Sequence, residues 1–335
     1  MLDNIINLNA TILAAASAVG KKETEGPLGD LFDIKDDSDK YGMDTFERAE
    51  AAMQRAAMNV AMAKAKIKDN ELDAIFAGDL MNQCTSSAYG LLPYNIPYFG
   101  LYGACSTAAE SIMLAAITAS ADIFQRVAAV TSSHYCTAER QYRSPLEYGS
   151  QRPPTAQWTV TGAGAFIIGK GNGKARVTGA LPGIVREMGI KDANNMGAAM
   201  APAAADTVNR YCRFCNRAIE EIDMIVTGDL GKEGLSILKD IVGKTNPHIV
   251  EKMYDCGVMI YDMEKQDVHC GGSGCGCSAV VLASYLLPML ERGELKNVLF
   301  IGTGAMMSPM SIQQGEAIPA VAHLIRLSCP ERMQK

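Results

Sequence analysis

Cys105 is the residue of this chain best placed to do chemistry. It stands in Tyr102-Gly-Ala-Cys-Ser-Thr107, and the small, apolar run from Thr107 to Ala121 reads as a helix. A cysteine at a helix N-terminus meets the positive end of the dipole and free backbone N–H groups. Both favour thiolate, below the free-thiol pKa of about 8.5, and a thiolate is an acyl acceptor. The same position suits an inert cysteine packed where only a small residue fits, and position alone leaves both readings open. The chain has 10 cysteines. Cys212-x-x-Cys215 has the spacing of half a zinc site, and Cys270, Cys275 and Cys277 lie in a glycine-rich stretch. Neither group supplies a second close pair, so no metal site is assigned. Asp79 and Asp229 are carboxylates open to a cation, and equally suited to capping the turns after their strands.

These residues sit on an internal repeat. Glu71-Leu-Asp-Ala-Ile-Phe-Ala-Gly-Asp-Leu80 returns as Glu221-Ile-Asp-Met-Ile-Val-Thr-Gly-Asp-Leu230, at an offset of 150 residues with six of ten positions identical. Gly103-Ala-Cys-Ser-Thr107 opens a small-residue helix in the first half, and Gly271-Gly-Ser-Gly-Cys-Gly-Cys277 opens one in the second. Gly162-Ala-Gly-Ala165 and Gly302-Thr-Gly-Ala305 come next in the same order. The apolar spacing of Ala49, Ala52, Met53, Ala56, Ala57 and Val60 predicts a helix over Asp44–Ala65, with Asp206–Ile219 as its counterpart. Ala74–Phe76, Val127–Thr131, Met224–Val226 and Val298–Gly302 read as buried strands. Strands alternating with helices predict a mostly parallel sheet in each half. Lys170-Gly-Asn-Gly-Lys174 is the turn between residues 1–170 and 175–328. His134–Thr159 and Ile184–Ala205 read as long irregular connections, which are usually functional.

With 335 residues, 48% hydrophobic and 20% charged, the chain is long enough for a large core without metal or disulfide staples. A net charge of −6 argues against a nucleic-acid partner, which needs a basic face. Met1–Asn9 lacks a positive signal-peptide start. The longest apolar stretches, Ser111–Ala121 and Ala279–Leu290, fall short of the roughly 20 residues of a spanning helix. A cytoplasmic protein is expected, with any membrane role peripheral.

Gly103-Ala-Cys-Ser-Thr107, Thr161-Gly-Ala-Gly-Ala165 and Gly302-Thr-Gly-Ala305 resemble the thiolase superfamily, which includes the ketoacyl synthases. The resemblance covers nearly the whole chain. It implies an α/β, thiolase-like fold of two duplicated halves in a five-layered αβαβα arrangement, with Cys105 aligned on the acyl-accepting nucleophile. Condensing enzymes of that superfamily set the cysteine against His–His or His–Asn partners, which stabilise an oxyanion or take a proton. The corresponding stretches here are Thr227-Gly-Asp-Leu230 and Gly271-Gly-Ser-Gly274. They hold neither His nor Asn, and His269 is displaced from the second. The expectation is a retained pocket with the condensing reaction lost.

Longer segments are similar to a narrower family of thiolase-like sporulation proteins from spore-forming Firmicutes. Among them are Ala77-Gly-Asp-Leu-Met-Asn-Gln83, Thr137-Ala-Glu-Arg-Gln141, Met200-Ala-Pro-Ala-Ala-Ala-Asp-Thr207, Asp255-Cys-Gly-Val-Met-Ile-Tyr261 and Gly271–Val280. That similarity implies a protein that binds dipicolinic acid as its calcium chelate, for uptake into the developing spore. It implies membrane-embedded partners of the same operon and attachment at the forespore inner membrane. The thiolase-like resemblance implies a homodimer, and no cofactor is expected beyond calcium arriving with the ligand. A flat aromatic dianion wants planar donors, backbone N–H groups and an apolar wall. The residues expected to meet it are Cys105, His134, Arg140, Arg152, Thr155, Trp158 and Ser273, with Arg143 and Gln157 nearby. The alternative is an acyl-transferring enzyme that uses Cys105, with His134 or His269 as base.

Overall fold

The computed structural model describes residues 5–142, 151–215 and 219–330. Arg143 lies outside the described residues. Ten strands build the main sheet: β1 (Ile6–Val19), β2 (Ala74–Gly78), β3 (Tyr98–Gly100), β4 (Arg126–Ser133), β5 (Gly162–Gly169), β6 (Ala175–Leu181), β7 (Met224–Thr227), β8 (Met253–Asp255), β9 (Asn297–Ala305) and β10 (Ala320–Ser328). Their order is β8-β7-β9-β10-β6-β1-β5-β4-β2-β3, and the two-residue strand Ile34–Lys35 lies beside the end of β1. The path β1-β5-β4-β2-β3 therefore recurs as β6-β10-β9-β7-β8.

Strand directions recur as well. β1–β5 and β5–β4 are antiparallel while β4–β2 and β2–β3 are parallel. β6–β10 and β10–β9 are antiparallel while β9–β7 and β7–β8 are parallel. The sheet in each half is thus mixed rather than mostly parallel, because β5 and β10 return on the chain as long antiparallel neighbours of β4 and β9. β1 and β6 pair antiparallel with each other and join the two halves into one ladder.

Six helices layer this sheet and frame the site: α1 (Phe46–Ala65), α2 (Thr107–Ser120), α3 (Tyr135–Tyr142), α4 (Met196–Phe214), α5 (Gly231–Gly243) and α6 (Cys275–Val281). α1 covers β1, β4 and β5 from outside, and α4, flanked by α5, covers β9 and β10. α2 is sandwiched, touching β1, β2, β4 and β5 on one side and β9 and β10 on the other, with α6 beside it. Helix, sheet, helix pair, sheet, helix is the five-layered order that the resemblance implies.

The sequence explains the tightness of these layers. In α1 the positions at helical spacing, Ala49, Met53, Ala57 and Ala61, are all buried. Its N-terminus is capped by Thr45 Oγ1, which accepts from Arg48 N at 3.3 Å, a bond of the kind that contributes about 1 kcal/mol. Central helices can approach the sheets because strand residues there are small. A Cβ placed on Gly164 would come within 2.7 Å of Ala279 Cβ on α6. Phe166 in β5 and Phe300 in β9 are fully buried, one in each half. Burying such a ring contributes roughly 1.5–3 kcal/mol.

Two expectations about the connections change. α4 begins at Met196, well before Asp206, because Asn195 Oδ1 caps Ala198 N at 3.1 Å. Pro202 removes one helical hydrogen bond, but the alanine-rich face around it is buried and the helix continues. His134–Thr159 is not wholly irregular either, since it contains α3. Among the described residues no helix is long and apolar enough to cross a membrane.

Candidate functional site

Cys105 lies in a single tight turn, Ala104–Ser106, that feeds directly into α2. Ala104 sits at φ +51°, a left-handed conformation that strains a non-glycine residue. The turn is pinned by its own side chains. Ser106 Oγ donates to Gly103 O at 2.6 Å, and Thr107 Oγ1 donates to Ala104 O at 2.7 Å. β9 presses on the turn from the second half. A Cβ on Gly304 would come within 2.4 Å of Gly103 O, so glycine is required there by contact. This is the physical content of the Gly302-Thr-Gly motif: it lets a strand of one half touch the cysteine turn of the other.

The glycine-rich segment before α6 closes the opposite side. Gly272–Ser273 pairs in parallel with Trp158–Thr159, which brings the Thr159 and Ser273 hydroxyls to 3.5 Å. Gly274 takes φ +100°, and a Cβ there would meet Ser133 Oγ at 2.6 Å. This turn aims Gly274 N–H at Asp229 Oδ2, at 2.8 Å. Thr303 Oγ1 donates to Asp229 Oδ1 at 2.8 Å. The Asp229 carboxyl acts electrostatically on the Cys105 thiol. Asp255 fixes the loop that carries Asp229, accepting from Thr227 Oγ1 at 2.6 Å, Leu230 N at 2.8 Å and Gly231 N at 3.0 Å. Gln157 Nε2 donates to Asp229 O and to Gly272 O, both at 2.8 Å.

Burial sets the electrostatics. It pushes the Asp229 carboxyl up to about 7 and Asp255 to about 6, against the hydrogen bonds that favour their charged forms. The Cys105 thiol is raised well above its ordinary value, by burial first and by Asp229 second. The helix N-terminus was expected to lower it. That influence is outweighed because the sulfur is taken out of water beside a carboxylate.

Cys105 opens onto a cavity of about 330 Å³. Leu80, Ala138, Met196, Met307 and Ile312 make its apolar wall, while Glu139, Tyr142, Gln157, Thr159, Asn194 and Ser273 bring polar atoms to it. No lysine, arginine or histidine lines it among the described residues. Of the residues expected at the ligand, Cys105, Ser273 and the nearby Gln157 line the cavity. Thr155 stands half-buried in the preceding turn and does not.

The other expected residues have partners elsewhere. His134 is buried, with Nε2 at 2.6 Å from Asp39 O and Nδ1 accepting from Cys136 N at 3.1 Å. Burial lowers its pKa and keeps it neutral. Arg140 pairs with Glu47 at the surface. Arg152 is almost fully buried and pairs with Asp267 at 2.7 Å, its guanidinium 4.6 Å from the centroid of Trp158. Trp158 stacks on Tyr135 at 3.7 Å. His269 Nδ1 is 2.7 Å from Pro153 O, so it is held outside the cavity.

Sequence reading missed Asp229 as the neighbour of Cys105, and missed Glu139, Tyr142 and Asn194 as cavity walls. For Asp229 the signal was present, since the second-half copy of Gly-Asp-Leu lies where the resemblance calls for a catalytic partner. For α3 and Asn194 no spacing pointed to the cavity.

Similar folds are known. The structure of cerulenin-bound OleA from Xanthomonas campestris superposes with a TM-score of 0.61 at 15% identity, covering 96% of this chain and 98% of that one. Human mitochondrial 3-ketoacyl-CoA thiolase in complex with CoA gives 0.59 at 12% identity over 97% of this chain and 99% of that one. The 3-oxoacyl-[acyl-carrier-protein] synthase III of Aquifex aeolicus gives 0.54 at 11% over 96% and 99%. At such identities the likeness is one of fold, and the fold is thiolase-like from end to end. In sequence the chain is 43% identical over 310 residues to the stage V sporulation protein AD of Bacillus subtilis (strain 168), which spans 92% of this chain and 91% of that protein. The model of that sporulation family matches residues 4–328. With a match of that length in sequence and a thiolase-like fold, the chain belongs to the stage V sporulation protein AD family.

Proposed function

We propose that this protein binds dipicolinate, as its calcium chelate, in the cavity around Cys105 for uptake into the developing spore, and that condensing chemistry has been lost. One observation carries the reading. The cavity is intact, yet no histidine lines it among the described residues, and the condensing enzymes that the chain resembles need at least one. The volume, about 330 Å³, is at the lower end of the roughly 300–1,000 Å³ of small-molecule sites.

The character of the lining favours the chelate over the free acid. Free dipicolinate is a dianion and would find no cation on the described walls. Its chelate with calcium is neutral. The acid supplies only part of the about six to eight donors that calcium takes. Thr159, Ser273 and Gln157 offer oxygens for the remainder. Calcium here is cargo, carried with the ligand.

Calorimetric titration with dipicolinate, with and without calcium, tests this beside Ala138→Trp, which fills the cavity from α3. Binding that weakens at least tenfold in the variant is expected. Absence of binding to folded protein at millimolar ligand would overturn the reading, and undiminished binding in the variant would move the site elsewhere.

A second reading draws on the strained turn at Ala104, which still presents Cys105 as a nucleophile would be presented. Under it Cys105 accepts an acyl group from a thioester. Intact-mass measurement after incubation with acyl-coenzyme A decides, a Cys105 adduct being required.

The remaining parts of the reading concern assembly. The edge strand β3 is exposed along its length, and Tyr89, Leu92, Tyr98, Phe99 and Tyr102 form an apolar, aromatic surface around it. A homodimer pairing β3 with its copy would cover that edge. Membrane-embedded partners of the same operon and a peripheral place at the forespore inner membrane complete the proposal.

A further inference from the structure

On the reading that the cavity around Cys105 takes the ligand, we propose that Glu50 and Gln141 are positioning residues that fasten α3 to α1 and to the Asp79–Asn82 turn, and so preset the first-half wall of the cavity. Two stretches singled out in the sequence, Ala77-Gly-Asp-Leu-Met-Asn-Gln83 and Thr137-Ala-Glu-Arg-Gln141, meet at this wall. α3 brings Ala138, Glu139 and Tyr142 to the cavity, and the turn brings Leu80. Ala138 and Leu80 share one buried cluster with Cys105 and Cys275.

The other side chains of the second stretch do not line the cavity. Each one holds the helix in place. Thr137 Oγ1 lies 2.9 Å from Glu50 Oε2, and Arg140 pairs with Glu47. Residues three apart on a helix share a face, so Glu47 and Glu50 on α1 meet Arg140 and Thr137 on α3 along one seam. Gln141 fastens the other side. Its Nε2 donates to Leu80 O at 2.9 Å, and its Oε1 accepts from Asn82 N at 2.9 Å. Tyr142 OH adds a bond to Leu80 O at 2.6 Å.

A chain of buried hydrogen bonds runs beneath the seam. Ser132 Oγ donates to Glu50 Oε1 at 2.7 Å and accepts from Gln54 Nε2 at 2.6 Å. The same Gln54 Nε2 donates to Ser87 Oγ at 2.8 Å, and Ser87 Oγ donates to Asp79 Oδ2 at 2.6 Å. Glu50, Gln54, Asp79, Ser87 and Ser132 expose no surface. The chain therefore starts at Thr137, beside Ala138, and ends at Asp79, beside Leu80. It holds with Glu50 charged or neutral. Thr137 Oγ1 is also 3.0 Å from His134 O, so it can turn its proton there and accept from a neutral carboxyl. A wall fixed before the ligand arrives saves the cost of ordering it on binding.

Thr137→Val and Thr137→Ser test this, because valine keeps the shape of threonine without its hydroxyl and serine keeps the hydroxyl. Amide hydrogen exchange of the unliganded protein, read by peptide mass spectrometry, should be about tenfold faster across Tyr135–Tyr142 in Thr137→Val. Exchange in α4 and α5 should be unchanged, and Thr137→Ser should match the parent. Calorimetric affinity for dipicolinate with calcium should fall about fivefold in Thr137→Val and return in Thr137→Ser. Gln141→Leu, which cuts the tie on the other side, should act as Thr137→Val does. Unchanged exchange of α3 in Thr137→Val, equal loosening in Thr137→Ser, or faster exchange spread over α4 and α5 overturns the proposal. A loosened α3 with undiminished affinity overturns it too. A parent that binds no dipicolinate overturns the reading of the ligand instead, and the exchange comparison then decides whether the wall is held as proposed. If Thr137→Val does not fold, Gln141→Leu decides on the same readouts, since Gln141 is only partly buried.

Discussion

Asp79 and Asp229 stand at matching places in the two halves, just past the end of a buried strand, but only Asp229 meets the thiol that opens onto the cavity. Asp79 is occupied by its own half. It accepts from Met81 N at 2.8 Å, Ser87 N at 2.8 Å and Ser87 Oγ at 2.6 Å. The repeat thus supplies two equivalent carboxylates, and local hydrogen bonding turns one into a turn cap and the other into the neighbour of Cys105.

The approach of β9 to the Cys105 turn should be intolerant of a single methyl group. In Gly304→Ala the new Cβ meets the backbone oxygen of Gly103 at 2.4 Å, and backbone cannot move aside as a flexible side chain would. Overpacking of this kind costs about 1–3 kcal/mol. Urea unfolding should show that loss, together with an altered rate of Cys105 alkylation. A variant as stable as the parent would mean that the strand and turn are not in contact.

Stability should fall as pH rises above neutrality. Burial pushes Glu23 and Asp229 each up to about 7 and raises Glu50 as well. A carboxyl whose folded pKa lies above its unfolded value stabilises the fold below the unfolded pKa, and that contribution is lost as pH rises through the folded pKa. His134 and His323 are lowered by burial and act in the opposite sense, but only below about 6.5. Between pH 6.5 and 8 the carboxyls are therefore unopposed, and about 1–2 kcal/mol should be lost from Glu23 and Asp229 together. Calorimetric melting across this range checks it, and Glu23→Gln should flatten the slope. A melting temperature that climbs from pH 6.5 to 8 would contradict the assignment.

Arg152 should matter for stability and not for ligand. Its guanidinium is held between Asp267 and the face of Trp158, outside the cavity. Arg152→Ala removes a charge-assisted hydrogen bond and a cation–π contact, about 1–3 kcal/mol together. Trp158 is the one tryptophan of the chain, so its emission reports both the unfolding and the lost contact. Dipicolinate affinity should stay within twofold of the parent. A loss of binding as large as that of Ala138→Trp would show that Arg152 reaches the ligand after all.

The exposed edge should govern assembly. A lysine at Phe99 would place charge on an apolar strand edge, a substitution that blocks edge-to-edge pairing. Light scattering should give twice the 35.8 kDa chain mass for the parent and the chain mass for Phe99→Lys. A monomeric parent would remove the dimer from the proposal.

The duplication was legible because it is written in local pattern. Gly-Asp-Leu after a short apolar strand and glycine clusters before small-residue helices mark the same element twice. The fold class came from those marks and from the resemblance they carry. Of the expected residues, those lining the candidate cavity are Cys105 and Ser273, which lie on those motifs, and Gln157, which lies in the long connection before β5. The arginines were not legible, because an arginine's sequence position says nothing about its partner. Arg140 and Arg152 were claimed by Glu47 and Asp267, and Asp267 is more than a hundred positions away from Arg152. His134 failed for a similar reason, since its role is set by the carbonyl of Asp39. The walls supplied by α3 and by Asn194 come from segments without periodic signal, and only the folded chain brings them to Cys105.

The pairing of β1 with β6 has an evolutionary reading. Each half contributes what the other lacks: the thiol comes from the first, and the carboxylate, the glycine-rich turn and the strand that presses on the cysteine come from the second. Neither half encloses the cavity alone. An ancestral single-half protein could have owned such a site only by meeting a second copy of itself, edge to edge where β1 and β6 now meet. Fusion of the two copies freed them to diverge, so that one aspartate could settle into a structural turn while the other took up a place against the sulfur.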